Sequence, residues 1–180
     1  MKKDRQTIFD SNVIEFVTVA AEFCKFIEQA EGRKRADFVD TALKLLPLLY
    51  LKAELLPPCE EAGDEPPETF VTEETYEVVR MTLAAVMGSR DDYLDVFVDD
   101  MKYSDRPIAR TVSEDLADIY QDIKDFVFVF RLGLNETMND ALAICRENFR
   151  LYWGQKLVNT LRALHDAKYG SLPQEEEAEN

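Results

Sequence analysis

Ser113–Phe130, SEDLADIYQDIKDFVFVF, carries two rows of residues at one helical period. Leu116, Ile119, Tyr120, Ile123, Phe126, Val127 and Phe130 form the apolar stripe of an amphipathic helix. Asp115, Asp118, Asp122 and Asp125 form the second row, centred about 120° from the stripe when residues are set 100° apart. Asp115 and Asp122 therefore border the buried face and do not oppose it. Charge rows are common on solvated helix flanks, which is one reading. A boundary carboxylate can also face a cleft between helices, where a hard cation such as Mg²⁺ takes oxygen ligands. On that second reading Asp115, Asp118 and Asp122 are the candidate metal ligands.

The same period runs outward in both directions, and no segment alternates like a half-buried strand. Toward the N-terminus, Asn12 and Glu15 suggest a capping box for a helix with Val13, Phe16, Val17, Ala20, Phe23, Cys24 and Ile27 inward and Gly32 at its end. A second helix is expected from Arg35 to Leu56, kinked or broken at Pro47. Its LLPLLYL segment is apolar all round, which predicts burial at the domain centre. Thr72 caps a third helix, which Gly88 stops. A short fourth helix is expected from Asp91 to Met101, and Thr111 with Glu114 opens the fifth. Asn135 caps the last, whose apolar positions Met138, Leu142, Cys145, Phe149, Trp153, Leu157, Leu161 and Leu164 extend for about 50 Å. Gly154 marks a kink in it or the close approach of a neighbour. The expectation is an all-α, single-domain bundle of about six helices over residues 1–170, with the long C-terminal helix as its spine. Residues 57–70 form an acidic, proline-rich loop, read as a mobile connector, and 171–180 a disordered acidic tail.

The chain has 180 residues, 46% of them apolar, and a net charge of −15. That charge is local. Residues 54–77 hold nine acids and no base, and 171–180 hold four acids and no base, which leaves −2 for the rest. No basic stripe of the kind that tracks phosphates is present, so direct nucleic-acid binding is not expected. No long apolar stretch predicts a membrane span, and the basic start MKKDR leads into no apolar signal segment. Three scattered cysteines without a C-x-x-C pair fit reduced thiols in a cytoplasm.

Chemistry-bearing patterns are few. The single histidine, His165, has no carboxylate three residues before it, so His-based zinc and di-iron sites lack material. No phosphate loop of the G-x-x-x-x-G-K-[ST] type occurs. On the last helix Tyr152, Lys156 and Asn159 share one edge, and Lys156 lies in line with Met138 and Phe149. A lysine in an apolar stripe snorkels or meets a carboxylate. Lys156 therefore either pairs with an aspartate of the 113–130 helix or helps form an anion-accepting pocket, with Arg146 and Arg150 adding positive charge.

Two resemblances bear on function. EDLADIY, residues 114–120, resembles the E-x-x-D motif of the MazG-type all-helical nucleotide pyrophosphohydrolases, which would imply Mg²⁺ at Asp115 and Asp118. That family's first motif would have to come from Asp92 and Asp95, or from Asp95 and Asp99, on a segment whose acids are expected to face water. Separately, KLLPLLYLKAELLP, SEDLADIYQDIKDF and ENFRLYWGQKLVNTLRALH resemble an uncharacterised all-helical bacterial family, domain of unknown function 5063, common in the Bacteroidetes. That resemblance implies an all-helical cytoplasmic protein and carries no assigned activity, cofactor or site residue. With no nucleophile constellation, the favoured reading is a non-catalytic module with a protein partner and no cofactor. The alternative is the Mg²⁺-dependent hydrolase. Sequence leaves room for a homodimer through the last helix.

Overall fold

Asp10 opens the first helix by accepting a hydrogen bond from the Asn12 backbone N–H through its side chain, so the cap lies two residues before the expected Asn12. The structure, a computed structural model, describes residues 7–61, 63, 67–95 and 107–170. Helix α1 is Ser11–Glu28, and Gly32 follows in the turn beyond it with φ 72°. Helix α2 is Arg35–Glu54 and passes Pro47 without interruption. Pro47 is exposed, so the carbonyl its ring leaves without a helical donor faces water. Only Leu46 and Leu49 of the LLPLLYL segment are fully buried, while Leu48 and Leu51 face solvent, which corrects the expectation of all-round burial. Helix α3, Glu73–Met87, has the expected Thr72 cap and Gly88 stop.

Where a fourth helix was expected, Asp92–Leu94 is a short strand, β1, paired antiparallel with β2, Ala109–Thr111. Residues 96–101 of that expected helix lie outside the described residues. Thr111 then caps helix α4, Val112–Arg131, through the Glu114 backbone N–H. The final rod begins with α5, Asn135–Asn148, with Leu134 and not Asn135 in the cap position. A π turn at Phe149–Trp153 joins it to α6, Gly154–Tyr169. The protein is all-α, with a single two-stranded ribbon among the described residues.

α4 is the hub. It packs against α1, α3, α5 and α6, and eleven of its residues are buried. α2 packs against α1 and α6, away from α4. The long C-terminal rod therefore forms one wall, and α4, flanked by partners on most sides, takes the central place expected of the rod. Trp153, Phe16, Phe23, Phe38, Leu116 and Ile123 are among the largest fully buried side chains of the core.

Candidate functional site

The aspartate row of α4 faces partners along its whole length. Asp115, with its side chain only 3% exposed, accepts the Tyr93 hydroxyl of β1 and, at 3.5 Å, the Thr160 hydroxyl of α6. Lys156 Nζ lies 3.5 Å from Asp115 and 2.7 Å from Asp118, and the Tyr76 hydroxyl of α3 donates to Asp118 at 2.7 Å. One turn on, Asn148 of α5 donates to Asp122 at 2.6 Å. At the end of the row, Asp125 accepts the backbone N–H groups of Phe70 and Val71 at 2.7 and 2.8 Å. Each carboxylate thus holds a different element against α4: the ribbon, α3, the C-terminal rod and the segment leading into α3.

That last contact changes the reading of residues 57–70. Asn139 donates to the Glu60 carbonyl at 2.7 Å, Asp140 accepts the Gly63 N–H at 3.1 Å, and the Phe70 ring stacks on Phe128. The described part of the segment is therefore strapped across α4 and α5 and is not a free connector. Satisfying backbone N–H groups with carboxylates gives charge-assisted hydrogen bonds, which are about twice as strong as neutral ones.

The π turn sets where Lys156 points. A π turn takes one extra residue, so everything beyond it is shifted round the helix axis by roughly 100°. Lys156 leaves the line of Met138 and Phe149, which stay buried, and reaches the seam edge where Asp115 and Asp118 lie. The expected pairing with an aspartate of α4 is present. The wider pocket is not assembled in this arrangement. Tyr152 is exposed on the π turn, and Arg150 pairs with Glu147 at 2.8 Å. Arg146 lies near the Cys59 thiol. Asn159 donates to Asp95 at 3.0 Å, which also accepts from Arg110 at 3.2 Å. The Tyr93 and Tyr76 contacts carry no signal in the sequence, and Asp95, expected to face water, is buried instead.

Among the described residues no group of three or more His, Cys, Asp and Glu is placed to hold a metal ion, Asp115, Asp118 and Asp122 included. Asp122 and Asp125 do face a cavity of about 220 Å³ between α4 and α5, floored by Phe126, Val129 and Ile144. Burial pushes the Cys24 thiol up to about 12 and raises Cys145 well above its ordinary value, so neither is a thiolate near neutral pH.

Burial raises Asp115, Asp122 and Asp125 above the ordinary carboxylate range, against the hydrogen bonds that lower them. A raised carboxyl binds its proton more tightly in the folded than in the unfolded chain. Its contribution to stability therefore falls as pH rises from about 4, the unfolded value, through the folded value. Asp122→Asn keeps an oxygen for Asn148 and removes a charge that Asp118 and Asp125 also repel. The variant is expected to be more stable than wild type at pH 7.5, by up to about 1 kcal/mol because the site opens to water. The gain should vanish at pH 4. Urea midpoints at the two pH values check this, and an equal shift at both would rule out the titration as its cause.

This fold is that of an all-helical protein whose aspartate row joins α4 to its neighbours, and no described helix is long and apolar enough to cross a membrane. The chain belongs to the family described as Domain of unknown function (DUF5063), whose model matches residues 7–170. It is similar to the crystal structure of protein BF1032 from Bacteroides fragilis, with 65% identity and a TM-score of 0.85 over 93% of this chain and 99% of that one. No curated protein matches it. The family resemblance read from the three long strings holds, and nothing supports the MazG-type resemblance of residues 114–120.

Proposed function

We propose that the chain is a non-catalytic interaction module of the bacterial cytoplasm that binds a protein partner through the outer face of α2. The observation that supports this is a leucine stripe. Leu48, Leu51 and Leu55 sit at i, i+3 and i+7 and are 41%, 52% and 46% exposed. That spacing puts them on one helix face. A helix with an apolar face on each side of its axis is expected when one side meets the core and the other a partner. By contrast, the polar side chains with the most chemical potential, Asp115, Asp118 and Lys156, are engaged with one another and with α3, β1 and α6.

The test is affinity capture from a native lysate with wild type and a Leu51→Glu/Leu55→Glu variant, alongside Met81→Glu on the exposed face of α3 as a control. The expected result is a stoichiometric partner kept by wild type and the control and reduced at least about tenfold by the double variant, since two interface leucines are together worth more than 1.4 kcal/mol. Recovery of no partner, or equal recovery by the double variant, would overturn the α2 reading.

A further inference from the structure

The groove between α1 and α2 differs in charge from the rest of this acidic chain. It is an open depression of about 430 Å³ floored by Phe26, Leu45 and Leu48. Its rim carries Lys25, Arg33 and Lys44 against one acid, Glu22. Arg33 lies over the Phe26 ring, 5.3 Å from its centroid, and its Nε donates to the Gln29 carbonyl at 2.8 Å. The structure also brings the end of α6 to this rim. Lys168, two residues before Gly170, bonds Asp40 of α2, and the other oxygen of Asp40 bonds Lys44 at 2.6 Å. Beyond Gly170 the sequence continues SLPQEEEAEN, with Glu175, Glu176, Glu177 and Glu179 and no base.

We propose that the acidic segment 171–180 docks within its own chain along the α1–α2 groove, placing its glutamates on Lys25, Arg33 and Lys44. Reach favours it. Gly170 lies two residues from Lys168, which is joined through Asp40 to Lys44, and five extended residues span about 17 Å. Charge favours it, because a rim of net positive charge faces a segment with four acids, and several weak pairs on one tether act at high effective concentration. Leu172 and Pro173 supply apolar surface for the floor. The other depression near Gly170 is a poorer match. Its Arg90 and Arg162 are balanced by Asp92 and Asp166, whereas the lining of the α1–α2 groove has three bases and one acid. Docking covers Leu48, one end of the leucine stripe, so a partner on that stripe has to displace the segment. This last consequence rests on the module reading, whereas the docking itself does not.

Zero-length carbodiimide crosslinking of the full chain, read by peptide mass spectrometry on an equal mixture of light and ¹⁵N-labelled protein, tests the docking. The Glu15–Lys52 pair between α1 and α2 is the internal control that the reagent has acted. The expected result is a link from Glu175–Glu177 to Lys44 or Lys25, at least tenfold more abundant than links to Lys34 or Lys52 and confined to chains of one isotope. Absence of such links while the control forms, links spread evenly over the lysines, or links between light and heavy chains would each overturn intramolecular docking. Failure of the partner capture above would leave this result unaffected, so the two ideas fail separately.

Discussion

Gly154→Ala is expected to destabilise the protein by about 3 kcal/mol, which lowers the melting temperature by roughly 6–12 °C at this chain length. The sign is the informative part. Gly154 has ordinary helical dihedrals, φ −63° and ψ −44°, and alanine in such a position normally gains about 1 kcal/mol. Here a Cβ would overlap the Phe149 carbonyl oxygen and stand 2.9 Å from its ring. The π turn brings that carbonyl close, because the Gly154 N–H bonds Phe149 five residues back. Relief requires either opening the turn or moving the Phe149 ring, which packs 4.7 Å from Trp153 and 5.1 Å from Tyr50. Trp153 is fully buried and donates its indole N–H to the Cys145 carbonyl at 3.2 Å, so the disturbance reaches the core. Thermal and urea melts followed by the single tryptophan measure the effect, with exposed Gln155→Ala as a control expected within about 0.5 kcal/mol of wild type. A stabilised Gly154→Ala would show that the turn closes to a plain α-helix without loss.

The π turn also shows what the sequence could and could not disclose. Cys145, Phe149, Trp153, Leu157 and Leu161 stand four apart in succession. In a straight α-helix four such steps drift by about 160°, too far for one buried stripe. An extra residue in one turn absorbs most of that drift, so the signal was present, but spacing alone did not say which turn took it. The strand at Asp92–Leu94 left no comparable mark. Three residues are too few to display a period of two, and Tyr93 and Leu94 with Phe97 imitate one side of a helix. Leu48 and Leu51 were misplaced for a different reason. Composition cannot distinguish an apolar face that meets the core from one that meets a partner.

The seam was more legible from the α4 side than from its partners. The wheel placed Asp115 and Asp122 at the edge of the stripe, a fact that depends only on residues within one helix, whereas Lys156 was reached along a straight-helix line that the π turn breaks. Tyr93, Tyr76 and the Phe70 and Val71 N–H groups come from elements whose positions follow from tertiary packing, and no local pattern encodes them. The long-range tethers along the row therefore became visible only once the elements were assembled.

Lys156→Met should be the second most damaging change, with a loss of about 3 kcal/mol at pH 8, the lower end for breaking a buried pair because Lys156 is 29% exposed. Methionine keeps the aliphatic length, so the loss is mainly that of the charge. Asp118 retains the Tyr76 hydroxyl and some water, but Asp115 is left buried with only the Tyr93 and Thr160 hydroxyls and a neighbouring Asp118 charge. Lys156 is one of the groups that hold the Asp115 carboxyl down against burial, so its removal raises that carboxyl further. The folded variant then takes up a proton over a wider range than wild type, and protonation relieves the buried charge. The loss should accordingly shrink as pH falls from 8 toward 4 and the raised Asp115 carboxyl takes up its proton. Asp115→Asn in the Lys156→Met background should recover part of the loss at pH 8 and almost none at pH 4. Urea denaturation of wild type, both single variants and the double variant at the two pH values gives the coupling energy directly. A loss independent of pH would mean that Lys156 serves by packing its stem and that the seam does not depend on its charge.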